Sequence, residues 1–533
     1  MPTTLRKLRF PKLVAFLLLF ALVGAACSSA GPEESTGSGD SGEGETDSAE
    51  QADDSDDDDD DDASTDDEEP DETDDEEATG VALPQDVPLS SAPGVDAESI
   101  RIGVLIRDVN QLIGTGFVED LTVTQQVDRW RAEAGRINNA GGVNGREIEV
   151  VVSTWDPLVP ESLLTACDRI ATSRDAFIVL NTSGLETLAS SCVTDPHSRP
   201  VLVGEGPPTS EFEASNNLLF SLEPPREVLI RTAMERFESE ELLQGRVAVM
   251  HADLDGDVEA ADLAMSILND LGYVATRESI PASQGVEAAI ESMPAKINAL
   301  ISDRTDTVIM LSNSTLAQPL GLEMNRYGAD WSNLIIDVDN IADPFAASRI
   351  GAAWDGAFAV SAWGGVTLPE TDIETQCRQG WNDFLNGEFT ERPRGDWSFS
   401  AGLEERSTRG AAPDSQSPPG DIGYTECLMM HLVTDALDRV PLNFTVADFV
   451  DALESSPRII MPLGANGSFG PDDHSFADRA GILQFLRWSS GFCPTESRDC
   501  FVPLNGDRSS FRELADPPQA ADEDGEADEE GDS

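Results

Sequence analysis

Positive charge is scarce in this sequence. Its 533 residues include 34 Lys and Arg against 101 Asp and Glu, and the formal net charge is -67 at pH 7. Beyond residue 12 there is one lysine, Lys296. A surface this negative repels the phosphates of nucleic acids, so the composition argues against a DNA- or RNA-binding function.

Motifs for catalysis and metal binding are also lacking. The chain has 4 histidines, no GxSxG nucleophile elbow, no HExxH pair and no CxxC spacing. We therefore expect no enzyme activity, no cofactor and no metal site. His251, at a predicted strand end, is interpreted as a hydrogen-bonding contact and not as a catalytic base.

The N-terminal 26 residues have the layout of a secretory signal peptide. Four basic residues within the first twelve precede an apolar run from Leu13 to Val23, and three small residues follow. Cys27 comes next, which resembles a bacterial lipoprotein signal, in which Cys27 becomes the lipidated N-terminus. Gly24 stands where that pattern prefers an aliphatic residue, so cleavage without lipidation is the alternative. Either way we expect an exported protein, and lipidation of Cys27 anchors it to the cell membrane on the extracytoplasmic side.

Two segments are too acidic and too poor in apolar residues to fold. Residues 31–79 hold 26 Asp and Glu with no Lys or Arg, including seven consecutive aspartates, and residues 516–533 hold 9 more acids. Such runs cannot bury enough apolar surface to offset the entropy of ordering. We predict a disordered acidic linker over 27–80 and a disordered acidic tail over 516–533.

The cysteine count fits an oxidising compartment. Besides Cys27 there are six cysteines, an even number that predicts three disulfides. Our pairing is Cys167 with Cys192, Cys377 with Cys427, and Cys493 with Cys500. Six cysteines allow 15 connectivities, so this pairing is one hypothesis among them.

Between the two acidic segments, strand and helix patterns alternate. A buried strand begins at Ser99, a helix covers Phe117 to Ile137, and a second strand runs from Glu147 to Ser153. The alternation continues through a strand at Thr307 to Leu311 to a strand at Asn333 to Asp337, and a short helix is predicted later, at Val446 to Glu454. This order predicts an α/β protein with parallel sheets and helices on both faces of each sheet, in two units of similar size.

Three segments carry a resemblance to a known family. They are INNAGGVNGREIEVVV from Ile137, VAVMHADLDGD from Val247, and GYTECLMMHLVTDALDR from Gly423. Their order and spacing resemble the solute-binding proteins of branched-chain amino-acid ABC transporters, the leucine-binding-protein type. The resemblance implies two doubly wound lobes of type I periplasmic binding protein architecture joined by a hinge of three crossovers. Lobe one would comprise 98–222 and 346–440, and lobe two 223–345 and 441–510.

The same resemblance implies ligand contacts in loops at the carboxyl ends of strands. Lobe one offers Thr182, Ser183 and Gly184 after the third strand, and Gly206 and Thr209 after the fourth. Hydroxyls and amides at a helix N-terminus suit a carboxylate, although the first loop also reads as a helix N-cap. The Pro207-Pro208 pair removes amide donors from the second loop.

The candidate ligand contacts in lobe two are acidic residues and one neutral residue, Asn313, which bears on the identity of the ligand. Asp253 and Asp255 follow its first strand, where they reach the cleft or cap the next helix. Asn313 stands where amino-acid-binding relatives commonly place an acid for the ligand ammonium. Either Asp337 or Asp339 takes that role, or the ligand is not an α-amino acid.

The function implied is that of a monomeric, lipid-anchored solute-binding protein. It would capture a small polar organic solute, an amino acid or a related amide or carboxylate, and deliver it to the permease subunits of an ABC importer. The alternative is a ligand-sensing, receptor-like protein that signals to a membrane partner. The sequence has no C-terminal transmembrane pattern that such a receptor would use.

Overall fold

The structure is a computed structural model, and it describes the central part of the chain. The described residues are 90–108, 110, 122–156, 159, 161–182, 189–311, 314–338, 341, 350–363, 371–385, 424–460, 466–487, 499–506 and 508–515. They belong to a compact unit that extends from Glu76 to Ser533. The predicted signal peptide, Cys27, the acidic linker and the acidic tail lie outside the described residues.

The first sheet is parallel throughout and has the order β2-β1-β3-β4-β5. Its strands are β1 (Ser99–Arg107), β2 (Glu147–Trp155), β3 (Ile178–Asn181), β4 (Val201–Val203) and β5 (Leu219–Ser221). Residues of β3, β4 and β5 are buried along their whole length. Parallel strands covered on both faces have such continuous apolar runs, because helices pack on either side.

Helices cover both faces of the first sheet. They are α1 (Val123–Asn139), α2 (Glu161–Ala171), α3 (Ala189–His197), α4 (Thr209–Ala214), and, later in the chain, α9 (Asp372–Leu385), α10 (Tyr424–Arg439) and α11 (Val446–Glu454). A capping box of Thr122 and Gln125 starts α1. Its buried Trp130 belongs to the core of one face, which also contains residues of α9, α10 and α11, while residues of α2 and α3 lie in the core of the other face.

The second sheet has a parallel part with an antiparallel edge, in the order β14-β13-β10-β9-β8-β6-β7, and β15 also pairs with β13. Its strands are β6 (Arg246–Ala252), β7 (Val274–Ile280), β8 (Thr307–Leu311), β9 (Ser332–Ile336), β10 (Phe358–Ser361), β13 (Arg479–Leu486), β14 (Cys500–Pro503) and β15 (Phe511–Glu513). The short hairpin of β11 (Ile459–Ile460) and β12 (Asn466–Gly467) forms a separate pair. The predicted doubly wound α/β fold is thus confirmed.

Helices also cover both faces of the second sheet. Among them are α5 (Arg226–Ser239) and α6 (Asp255–Asp270) on one face, and α7 (Val286–Ser302) and α8 (Ser314–Tyr327) on the other. Within the described ranges, no helix is long and apolar enough to cross a bilayer.

The chain passes between the two sheets at three places, which we call the crossovers. The first crossover is 222–226, between β5 and α5; the second contains 361–363, after β10; the third is 474–479, before β13. Backbone hydrogen bonds hold the third crossover beside the end of β5 and the first crossover: the Ser221 N–H donates to the His474 carbonyl at 2.9 Å, and the Ala477 N–H donates to the Leu222 carbonyl at 3.1 Å.

The observed sheets correct the predicted lobe boundaries. Residues 358–361 form β10 in the second sheet, although the prediction placed 346–440 in lobe one. Residues 441–460 and 466–477, predicted for lobe two, pack on the first sheet, where Phe444 and Phe449 contact Phe177 with ring centroids 5.4 and 4.9 Å apart. These aromatic rings bury their area against the first core, and that burial decides where the segment belongs.

Two of the three predicted disulfides are confirmed. Cys167 and Cys192 join α2 to α3 with a Cα–Cα distance of 6.0 Å, and Cys377 and Cys427 join α9 to α10 at 5.6 Å. Cys500 is disulfide-bonded, and Cys493, its predicted partner, lies outside the described residues.

Candidate ligand-binding site

The loops predicted to bind a ligand lie at the carboxyl ends of parallel strands. This is the place where open α/β sheets bind ligands. Thr182 is half-buried directly after β3, and the loop from Gly204 to Pro208 follows β4. Ser183 and Gly184 lie outside the described residues. At this edge the described residues of the predicted site are therefore Thr182 and those of the loop that follows β4.

Gly206 is held against the first crossover. Its N–H donates to Glu223 Oε2 at 3.3 Å, and a Cβ added at Gly206 would lie 2.0 Å from the Pro224 carbonyl oxygen. A side chain at this position requires a backbone shift, so glycine fits here for steric reasons. Because its N–H is engaged by a carboxylate, Gly206 contributes to the site through the shape of its backbone.

Thr209 is exposed at the first position of α4. Its N–H and its hydroxyl both donate to Glu227 Oε2 at 3.0 Å. The hydroxyl thus fastens α4 to the first turn of α5, and its remaining capacity for a ligand is that of an acceptor.

Arg226 brings the β4–α4 loop near the second sheet. Its N–H donates to the Pro207 carbonyl at 3.2 Å, and its Nη1 lies 3.4 Å from Asp257 Oδ1 in the first turn of α6. The loop after β4 and the start of α6 therefore lie on either side of one arginine.

Asp253, at the end of β6, connects two loops of the second sheet. Its Oδ1 accepts from the Ser283 N–H at 2.6 Å, and its Oδ2 accepts from the Ser283 hydroxyl at 2.7 Å. Ser283 belongs to the short 3₁₀ turn Ala282–Gln284 that follows β7. Asp253 thus caps this turn, while Asp255 is the first residue of α6.

Asp337 is fully buried after β9, at 1% exposure. Its Oδ1 accepts from the Ile341 N–H at 2.5 Å, so this carboxylate stabilises the turn that follows the strand. Asn313 and Asp339, the other residues predicted for this part of the cleft, lie outside the described residues. Within the described ranges, no cluster of His, Cys, Asp and Glu side chains suits a metal ion.

His251 is completely buried in β6. Arg277 Nε donates to its Nε2 at 2.7 Å, and its Nδ1 lies 2.5 Å from the Ala252 carbonyl oxygen. This network assigns the proton to Nδ1. Burial lowers the pKa of His251, and the positive charge of Arg277, which also pairs with Asp262, lowers it further. His251 is therefore neutral at pH 7 and makes a structural hydrogen bond.

Known structures with the same architecture identify the fold. A fatty acid ABC transporter substrate-binding protein from Thermomonospora curvata matches with a TM-score of 0.57 at 13% identity, over 80% of this chain and 95% of that one. The leucine-, isoleucine-, valine-, threonine- and alanine-binding protein from Brucella ovis matches with a TM-score of 0.55 at 14% identity, over 79% and 97%. A solute-binding protein from Rhodopseudomonas palustris BisB5 in complex with 3,4-dihydroxybenzoic acid matches with a TM-score of 0.56 at 12% identity, over 79% and 99%.

The chain has the type I periplasmic solute-binding protein fold. At identities of 12 to 14%, the similarity concerns the fold and not the ligand. No protein-family model matches the chain, and no curated protein matches it in sequence.

Two residues that no sequence motif indicates, Glu223 and Trp363, lie in the first and second crossovers and join them. Glu223 is 1% exposed and Trp363 is 4% exposed, and the indole Nε1 donates to Glu223 Oε1 at 2.5 Å. A signal for Glu223 is present in the sequence, because an acid followed by Pro224-Pro225 comes two residues after a buried strand. Trp363 follows a strand of only four residues that the hydrophobic pattern does not reveal.

Proposed function

We propose that this protein is the solute-binding component of an ABC importer. It captures a small polar organic solute, such as an amino acid or a related carboxylate or amide, between its two lobes and delivers it to the permease subunits. The observation that carries this proposal is the position of the β3, β4 and β6 loops. All three follow the carboxyl ends of parallel strands in a two-lobed fold that serves solute binding in other proteins.

A carboxylate is the solute group that lobe one suits best. The neighbours named above are named for, or are in complex with, a fatty acid, five amino acids and a dihydroxybenzoic acid, and all of these carry a carboxylate. In this chain we assign the carboxylate to Thr182, Ser183 and Gly184, where hydroxyls and backbone N–H groups follow β3. The Gly206 N–H already donates to Glu223. The β4–α4 loop therefore contributes the shape of the cleft and offers the solute fewer hydrogen-bond donors than the loop after β3.

The other end of the solute faces lobe two. The Asp253 carboxylate accepts two hydrogen bonds from Ser283, and that of Asp337 accepts from Ile341. Moving either acid to a ligand ammonium would break bonds that hold a loop in place. We therefore assign the specificity for this end to Asn313 and Asp339, with a neutral hydrogen-bonding group at Asn313.

The same proposal places the protein outside the cytoplasm. Cys27, directly after the predicted signal peptide, is the proposed site of lipidation, and the acidic linker separates the anchor from the lobes. We propose that the protein acts as a monomer without catalysis, since transport requires capture and release of an unchanged solute.

Thermal unfolding of the full chain tests this function. The panel contains L-leucine, L-alanine, 4-hydroxybenzoate and octanoate, because these probes share a carboxylate and differ in the rest. A solute at 100 times its Kd stabilises the folded state by about 2.7 kcal/mol, which raises the Tm. Absence of any shift across the panel would contradict a carboxylate-bearing solute.

Thr182→Val tests the assigned carboxylate site with the same assay. Loss of a hydrogen bond to a charged group costs about 1.5 to 3 kcal/mol, so Kd should rise by roughly 10- to 150-fold. The matched control is Thr172→Val, because Thr172 is exposed after α2, at the opposite end of the sheet, and its hydroxyl donates to the Asp168 carbonyl at 2.7 Å. Equal weakening by both variants would contradict the assignment.

A further inference from the structure

Glu223 connects three parts of the molecule through one buried carboxylate. It belongs to the first crossover, its Oε1 accepts from the Trp363 indole of the second crossover at 2.5 Å, and its Oε2 accepts from the Gly206 N–H of the β4–α4 loop at 3.3 Å. At 1% exposure this carboxylate has no access to bulk water. Water cannot replace a donor that a buried carboxylate loses, so breaking either hydrogen bond costs free energy.

The β4–α4 loop is fastened to the first crossover along its length. The Ser221 hydroxyl donates to the Glu205 carbonyl at 2.7 Å and accepts from the Glu223 N–H at 3.2 Å. The Arg226 N–H donates to the Pro207 carbonyl at 3.2 Å. The loop and this crossover therefore move as one piece.

The second crossover is ordered around Trp363. The Trp363 N–H donates to the Ser361 hydroxyl at 3.0 Å, and Ser361, at the end of β10, is fully buried. Because β10 belongs to the second sheet, a displacement of that sheet reaches Trp363 directly. Its indole then either carries the Glu223 carboxylate along or no longer donates to Glu223 Oε1.

We propose that Glu223 is a positioning residue that couples the β4–α4 loop to the angle between the lobes. This inference rests on the proposed function, in which that loop borders the solute. A solute that contacts the loop changes the mobility of the second crossover, and movement of the second crossover changes the loop. Such coupling between two sites is reciprocal.

Hydrogen exchange of the full chain without added solute is the first test. Trp363→Phe removes the indole donor and keeps an aromatic ring, and Glu223→Gln offers one acceptor oxygen to two donors. In both variants the Gly206 amide should exchange faster, on the order of tenfold, because its acceptor is no longer held in place. The matched control is Trp354→Phe, because Trp354 is equally buried and its indole donates to the Ala317 carbonyl of α8 at 2.9 Å, within the second lobe.

The second test adds L-leucine or 4-hydroxybenzoate, whichever raises the Tm. Saturating probe should slow exchange of the amide at position 363 in the wild type and in the Trp354→Phe variant. This protection should be absent in Glu223→Gln, although the probe is bound. If Glu223 only stabilised the fold, Glu223→Gln would lower the free energy of unfolding, and the bound probe would still slow exchange of the amide at position 363.

The outcomes separate this inference from the proposed function. Unchanged Gly206 exchange in both variants, or an equal increase in the Trp354→Phe control, would overturn the coupling. If Trp363→Phe does not fold, Glu223→Gln decides with the same readout. If neither probe binds the wild type, the assignment of these solutes fails, and exchange without solute still decides the coupling.

Discussion

Arg146 is a buried cation that ties the first sheet to the helices packed on it, and its replacement by alanine should destabilise the whole lobe. The side chain is 1% exposed. Its Nε donates to the Asp96 carbonyl and its Nη2 to the Leu442 carbonyl, both at 2.9 Å. Burial lowers the pKa of the guanidinium, and the charge of Asp96 partly offsets this effect. The group remains charged at neutral pH, because an arginine keeps its proton in proteins.

The expected loss follows from these two bonds. A hydrogen bond that involves a charged group contributes about 1.5 to 3 kcal/mol, so two contribute about 3 to 6 kcal/mol. The cost of burying the guanidinium reduces the net value. We expect Arg146→Ala to lower the free energy of unfolding by about 3 kcal/mol. Arg146→Lys keeps the charge and reaches one of the two carbonyls, so it should lower the free energy of unfolding by about half as much as Arg146→Ala.

Urea unfolding followed by circular dichroism measures this change. The matched control is Arg131→Ala, because Arg131 is 61% exposed and its ion pair with Asp128 at 3.4 Å is a surface contact. That variant should change stability by less than about 0.5 kcal/mol. A loss below about 1 kcal/mol for Arg146→Ala, or equal losses for both variants, would refute the reasoning.

Two further predictions concern a disulfide and a histidine. Replacing Cys377 and Cys427 by serine removes a cross-link between residues 50 apart and should lower the free energy of unfolding in urea by about 4 kcal/mol. Replacing Cys167 and Cys192, which are 25 apart, should lower it by about 3.5 kcal/mol, because the closed loop is shorter. A clearly larger loss for the shorter loop would contradict the loop-entropy reasoning. Burial holds the pKa of His251 below its ordinary 6.5, so the unfolded state binds the proton more readily. Stability should decrease as pH falls below 6.5, by at most about 1.4 kcal/mol per pH unit. His251→Asn should remove this contribution to the decrease of the free energy of unfolding with falling pH. An unchanged pH dependence in the variant would contradict the prediction.

Elements with strong local signals were predictable from the sequence. The strand predicted at Thr307 to Leu311 has the bounds of β8, whose five residues are all buried. The helix predicted at Val446 to Glu454 has the bounds of α11, which Thr445 and Asp448 open with a capping box. In both cases the determining interactions lie within a few residues of each other, so the local sequence contains them.

The assignment of elements to lobes was only partly predictable. The four residues of β10 are too few for a periodic signal, and their pairing with β9 on one side and with β13 on the other shows that they join the second sheet. Similarly, α11 is amphipathic, but the amphipathic pattern does not tell which sheet covers its apolar face. Contact with Phe177, more than 250 residues earlier, places it on the first sheet.

At the site, the sequence by itself determined which loops follow buried strands, and therefore which polar residues reach the carboxyl edge of a sheet. It also determined the alternation of strands and helices, whereas the pairing of the cysteines was one hypothesis among 15 until the helices were placed. Only the tertiary structure decided which of those polar groups are already engaged. Asp253 accepts from Ser283, and Glu223 accepts from Trp363, 140 residues away. The physical reason is that a buried carboxylate must accept hydrogen bonds from the groups that lie beside it in the folded protein. Those groups can be far away in the sequence, so the sequence alone does not identify them.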